Sequence, residues 1–275
     1  MPRVKGFLLL ALACLSAHSA AAADPTVRPA TKKWVVDYGE TECTALKEYG
    51  DGRGAVQLVF RPSPLEHSMQ VIVIRTGFVR AAEHVKVDIL LGGEEVRTTA
   101  LHYSPAKTTH EVFMATLRSD RAEALKRAQT IAVRSGVHLD ERFAVPGMDK
   151  LATALEACAQ TLREHWNLAG PGAEARAKWA RPEVPLGSYF SADDYPAQSV
   201  AGDESGKTRV TMMIDEKGTV ADCLVEEPSG IASLDAMTCI VLRQRARFHP
   251  AEDVAGKPMR SMATQTVNWR MRPWP

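Results

Sequence analysis

Cysteine, histidine and carboxylate side chains have chemistry to offer, and their spacing decides which chemistry. The chain has five Cys and eight His. Cys14 lies in an apolar leader, which leaves Cys43, Cys158, Cys223 and Cys239. No two of these form a C-x-x-C pair, so neither a dithiol redox centre nor a Cys-ligated zinc is expected. An even count in an exported chain reads instead as disulfides. Four cysteines allow three pairings, and sequence locality favours Cys223–Cys239 and Cys43–Cys158. The histidines show no H-E-x-x-H or equivalent spacing. His102 and His110 fall in a strand-rich stretch and read as solvated, so no metal and no cofactor is expected. G-x-S-x-G and a phosphate-cradling glycine loop are both absent. Glu94-Glu95, Asp193-Asp194 and Glu226-Glu227 are adjacent pairs. On a strand such neighbours point to opposite faces, so they read as solvated surface rather than paired acid and base. No catalytic residue is assigned, and the chain reads as a non-enzyme.

Charge narrows the partners. Thirty-four Lys and Arg stand against 33 Asp and Glu, a net charge of +1. Balance of this kind gives no electrostatic footing for nucleic acid, which needs clustered cations. With 275 residues, 45% of them hydrophobic, there is material for one large or two ordinary domains. Residues 1–23 read as an export signal: Arg3 and Lys5, an apolar run from Phe7 to Ala13, and Ala21-Ala-Ala23 before Asp24. An uncleaved inner-membrane anchor and a lipoprotein acylated at Cys14 are the competing readings. Phe7 to Ala23 is short for a span and interrupted by Ser16, His18 and Ser19. Periplasmic localisation after cleavage is therefore the expectation.

The elements that must position these residues fall into two groups. From Trp34 to Val145, short β-branched and alternating runs separated by turn residues predict a β-rich unit, with one short helix over Arg121–Ala128. Met148 to Trp166 then predicts a helix, with Leu151, Leu155, Cys158, Leu162 and Trp166 on one stripe. This closes a first domain over residues 34–166. Residues 167–188, with Gly170-Pro171-Gly172, Pro182 and Pro185, read as a linker. The opening Trp34-Val-Val, the following Cys43, the many strands and the late helix resemble exported invasion-associated locus B-like proteins, from which no residue role is carried over.

The remaining stretch, residues 189–275, predicts strand, strand, helix, strand. Lys207 to Asp215 is the first strand, with Val210, Met212 and Ile214 on one face; Ser233 reads as the cap of a helix whose stripe is Leu234, Met237, Val241 and Arg245. Six marks stand in order: Tyr195-Pro196, Ile214-Asp-x-x-Gly218, Ser229-Gly230, Leu234-Asp235, Phe248-x-Pro250-Ala251 and Gly256-x-Pro258. Together they resemble the C-terminal domain of the TonB family of energy transducers. The resemblance implies an α+β fold, a three-stranded antiparallel sheet with one helix, whose last strand can receive a strand from a partner.

That strand, read as Ser261 to Arg270, is expected to present Ser261, Thr264, Thr266, Asn268 and Arg270 to an envelope protein such as an outer-membrane receptor. A homodimer through the same edge is the competing occupant, and the tail Arg272–Pro275 is a third. The chain departs from transducers in its cleavable leader and in the folded domain that replaces a Pro-rich spacer. The alternatives to partner binding are a membrane-anchored energy transducer, and an exported enzyme or inhibitor whose active surface lies in the first domain.

Overall fold

The computed structural model describes residues 27–65 and 68–271. The proposed export signal and the tail Arg272–Pro275 lie outside the described residues.

Strand alternation builds the first domain. In β2 (Cys43–Tyr49) Cys43, Ala45, Lys47 and Tyr49 are buried while the residues between them are not. β5 (Glu83–Leu91) repeats the pattern with Val85, Val87, Ile89 and Leu91. Period two places each set on one face of a pleated sheet. With β1 (Val35–Tyr38), β3 (Val56–Pro62), β4 (Ser68–Thr76), β6 (Glu94–Tyr103), β7 (His110–Arg118), β8 (Thr130–Ser135) and β9 (Leu139–Ala144), they form one nine-stranded sheet. Its order is β1-β2-β3-β4-β7-β6-β5-β8-β9 and every pairing is antiparallel. The sheet curls until its two ends meet: the Tyr49 ring packs tilted against Phe143, centroids 4.8 Å apart, and its hydroxyl donates to the Ala144 carbonyl at 2.9 Å.

Two helices cover the core, α1 (Ala122–Arg127) and α2 (Met148–His165). The α2 stripe of Leu151, Leu155, Cys158 and Leu162 is buried, as its 3.6-residue period requires. Gly147 opens this helix at φ 78°, a left-handed position that a side chain would strain. Cys43 on β2 and Cys158 on α2 are joined, with S–S 1.99 Å.

Residues 167–188 are not a free linker. They hold α3 (Gly170–Ala175), β10 (Arg176–Lys178) and β11 (Arg181–Pro182). Gly170-Pro171-Gly172 opens α3, with the proline in its first turn, and the two short strands pair with the second domain. β10 pairs with β15 (Ala251–Asp253), which also pairs with β16 (Pro258–Met259); β11 pairs with β14 (Phe248–His249). A fragment starting at residue 189 therefore uncovers the backbone of β14 and β15, beside fully buried Phe248 and Ala251. Denaturant midpoints should show that fragment to be less stable than one starting at residue 167. Equal midpoints would mean β10 and β11 contribute nothing.

The second domain is a three-stranded antiparallel sheet, β13-β12-β17, with α5 packed on one face. β12 is Gly206–Ile214, β13 Val220–Glu227, α5 Ala232–Arg245 and β17 Ser261–Trp269. A short α4 (Ala197–Ala201) precedes β12. The architecture is α+β. Two details differ from expectation. α5 starts after Ile231 rather than at a Ser233 cap. Its buried side is Leu234, Asp235, Thr238, Val241 and Leu242, and Arg245 is exposed. The polar pair fits inside because Asp235 accepts from the Thr208 hydroxyl at 2.7 Å and Thr238 accepts from Trp269 Nε1 at 2.8 Å. Cys223 on β13 is joined to Cys239 on α5, S–S 2.06 Å.

Candidate functional site: the free edge of the second sheet

A three-stranded sheet has two edges, and here they differ. β13 has irregular register against β12, with shifts at Arg209/Val210 and at Met213/Ile214. Its Glu226 is also tied to the first domain, accepting from the hydroxyls of Ser63 at 2.8 Å and Ser68 at 3.4 Å. β17 keeps an unbroken nine-residue register with β12, from Gly206↔Trp269 to Ile214↔Ser261. It stands last in its sheet, so among the described residues one side of its backbone has no strand partner.

Hydrogen bonding in the β12–β13 turn identifies which groups face out. Asp215 N donates to the Thr219 carbonyl at 3.0 Å, so the backbone of Asp215 is directed at β13. Backbone direction alternates along a strand. Met213, Thr211 and Arg209 therefore also face β13, while Ile214, Met212, Val210 and Thr208 face β17. Their partners Ser261, Ala263, Gln265 and Val267 use their backbone groups internally. Met262, Thr264, Thr266 and Asn268 direct theirs outward. Among the expected site residues, Thr264, Thr266 and Asn268 thus offer an open ladder. Ser261 is fully buried and faces inward, and Arg270 is exposed but follows the last residue of the strand. The first outward group, at Met262, sits beside the first domain, where Met262 packs with Met213, Trp166, Leu162, Cys43 and Cys158.

The marks that carried the resemblance hold this edge in place without lining it. Gly218 is at φ 78°, and a Cβ there would overlap the Phe248 carbonyl; Phe248 N donates to Gly218 O at 2.8 Å. The Gly of the first turn and the Phe of the later motif are thus one contact. Asp215 Oδ1 accepts from Lys217 N and Thr219 N, each at 2.9 Å, which fixes the turn. Asp235 accepts from Ser229 N at 2.8 Å, ordering the loop before α5. Tyr195 donates to the Glu204 carbonyl and stands edge-on to Trp269 at 5.3 Å, anchoring the last residue of β17.

Two groups read as solvated are instead buried against partners. Asp194 is buried and receives both arms of Arg245, at 2.7 and 2.8 Å, together with the Ser191 amide and hydroxyl. Arg245 above all, with Ser191, holds the Asp194 carboxyl down at about 2, below its ordinary 3.8. A depressed carboxylate adds stability above its unfolded pKa and loses it as the group protonates in the fold. Asp194→Asn should accordingly lower the denaturant midpoint at neutral pH. The gap to the wild type should close as pH falls from about 4 to about 2. A gap independent of pH would show that Asp194 acts by shape alone.

His102 is the second correction. It is 4% exposed, enclosed by Glu83 and Glu111 rather than by water. Sequence spacing hid this because the three residues come from three different strands.

The first domain holds a groove of about 690 Å³ between α1, α2 and the ends of β4 and β7. Its lining includes Met69, Leu117, Leu125 and Leu155, with Arg118, Lys126 and Glu156 also present. Its lining also holds Ser63, Ser68 and Ser119 among the described residues. Among the described residues no helix is long and apolar enough to cross a membrane.

Residues 191–271 match the family described as Gram-negative bacterial TonB protein C-terminal. No curated protein matches the chain. The second domain is thus a TonB-type C-terminal domain, a family of envelope and transport interactions without enzymatic activity. The matched span begins after β10 and β11, so the strands that complete the domain lie outside it.

Proposed function

We propose that the chain is an exported, periplasmic protein that binds an envelope partner by adding the partner's strand to β17. The observation that carries this reading is the contrast between the two sheet edges: β13 is irregular and tied to the first domain, while β17 is regular and, among the described residues, unpaired on its outer side. An edge of this kind supplies affinity through backbone hydrogen bonds and selectivity through alternate side chains. Thr264, Thr266 and Asn268 supply the outward ladder. An outer-membrane receptor is the partner class the domain family favours, and a second copy of the chain is the competing occupant.

The first domain bears on how the sheet is held. Asn167 donates to the Arg260 carbonyl at 2.8 Å, and the Arg260 guanidinium lies over Trp166 at 5.6 Å. His84 on β5 approaches Asp235 at 3.7 Å. The Met213–Met262–Trp166 cluster braces the sheet from the side away from α5, while the His84 contact holds α5 itself. This supports a rigid receptor platform rather than a domain swinging on a spacer. The test has two parts. Mass spectrometry of the protein from cells should find Asp24 as the first residue. Affinity capture from envelope extracts should retain a discrete partner other than the chain itself. An intact residue 1–23 segment would favour the anchored transducer, and self-capture alone would favour the homodimer.

A further inference from the structure

At one end of the curled sheet, four strands place polar side chains on a face that elsewhere carries apolar core. Register sets Glu83 on β5 opposite His102 on β6, and His102 opposite Phe113 on β7. Glu111 lies two residues before Phe113 and opposite Arg75 on β4. His138 enters from the β8–β9 turn. The His102 ring stacks on Phe113, centroids 3.9 Å apart, and is buried. Its Nε2 is 2.9 Å from Glu111 Oε2 and its Nδ1 is 3.2 Å from Glu83 Oε1. The other Glu111 oxygen accepts from Arg75 Nε at 2.6 Å, and Arg75 also donates to the His138 carbonyl. Donor atoms of Glu83, His102 and His138 all lie within 4.8 Å of one another.

This ring sits between two acceptors, and a neutral imidazole has one N–H to give. Arg75 fixes Glu111, so the short Nε2 contact takes that proton. Nδ1 is left with a lone pair aimed at a carboxylate oxygen. A cation between them satisfies both, and His138 adds a third donor on the open side. A carboxylate holding the far nitrogen of a metal-ligating His is the usual way such a ring is oriented.

We propose that Glu83, His102 Nδ1 and a ring nitrogen of His138 bind one late first-row divalent cation, with Glu111 and Arg75 orienting His102. Two imidazoles and one carboxylate suit Zn²⁺ or Cu²⁺ and not Ca²⁺ or Mg²⁺. Three protein ligands leave a fourth position for water or a ligand. Bonds of about 2.0 Å place tetrahedral donors about 3.3 Å apart, which His102 Nδ1 and Glu83 Oε1 already meet at 3.2 Å while the three donors together span up to 4.8 Å. The exposed side chains of Glu83 and His138 can close that gap, since His138 follows Gly136 and exposed Val137 in a turn.

Titrating the full, disulfide-intact chain with Zn²⁺ by calorimetry, and with Cu²⁺ in parallel, tests this. One ion per chain should bind, and saturating Zn²⁺ should raise the thermal midpoint. Glu83→Gln and His138→Ala alter exposed side chains, so the metal-free proteins should melt like the wild type. Each should weaken Zn²⁺ binding by about tenfold or more, and Glu111→Gln by about 10- to 100-fold. Absence of saturable binding by either ion would overturn the site. Binding unchanged in Glu83→Gln or in His138→Ala would overturn it by placing the ion elsewhere.

Discussion

Thr266→Pro should abolish capture of the envelope partner while leaving the thermal midpoint close to that of the wild type. Proline removes an N–H, and its effect on a sheet depends on where that N–H pointed. Thr266 is exposed, near the middle of β17, and its backbone faces away from β12. The missing donor therefore has no internal acceptor to abandon. A partner strand would lose a central hydrogen bond and meet the pyrrolidine ring at the same point. Val267→Pro is the matched control, one residue along. Its N–H is directed at β12 opposite Thr208, so a buried carbonyl loses its donor at roughly 1–3 kcal/mol. The control should destabilise the protein and the test variant should not. Partner capture that survives Thr266→Pro in a folded protein would remove the edge from the account, and the groove beside α2 would become the next surface to probe.

The second large effect concerns the Cys43–Cys158 bridge. It closes a loop of 115 residues, against 16 for Cys223–Cys239. On the loop-entropy argument, losing the longer bridge costs about 5 kcal/mol and the shorter about 3 kcal/mol. The longer bridge also lies in the cluster with Trp166, Met213 and Met262, where the domains meet. The paired change Cys43→Ser with Cys158→Ser should lower the thermal midpoint by roughly 10–20 °C. It should also loosen the second domain, although both cysteines belong to the first. Calorimetry of the wild type and the paired variant checks this. A midpoint shifted only a few degrees, with the second domain unaffected, would show that the seam does not depend on the bridge.

How much was legible beforehand follows from which interactions are local. The α2 stripe and the alternating strands were readable because one residue's burial predicts its neighbours' at a fixed period. The family marks were readable as a pattern, yet their roles were not. Gly218 needs its glycine because of Phe248, thirty positions on in sequence, and only folding brings the Phe248 backbone there. Asp194 looked like half of a solvated pair because nothing nearby announces Arg245. His102 was missed for the same reason: its partners Glu83 and Glu111 meet it across strand register, not sequence spacing. Residues 167–188 looked like a linker because Gly and Pro mark turns whether or not the backbone between them pairs. Arg270 has the outward parity but lies past the end of β17, whereas Ser261 was placed on the edge because a strand's outward parity is set by its neighbour. That neighbour's direction is fixed by the single Asp215–Thr219 bond.

The central claim is that β17 is where a partner strand lies, and site-specific photo-crosslinking in living cells tests it most directly. A photoreactive residue is placed in turn at Thr264, Thr266 and Asn268, and at Ala236 on the exposed side of α5 and exposed Val254 as controls. The account predicts one discrete adduct with an envelope protein from the three β17 positions and none from the controls. Equal labelling at the controls, or no adduct from any β17 position in a folded, exported protein, would contradict it.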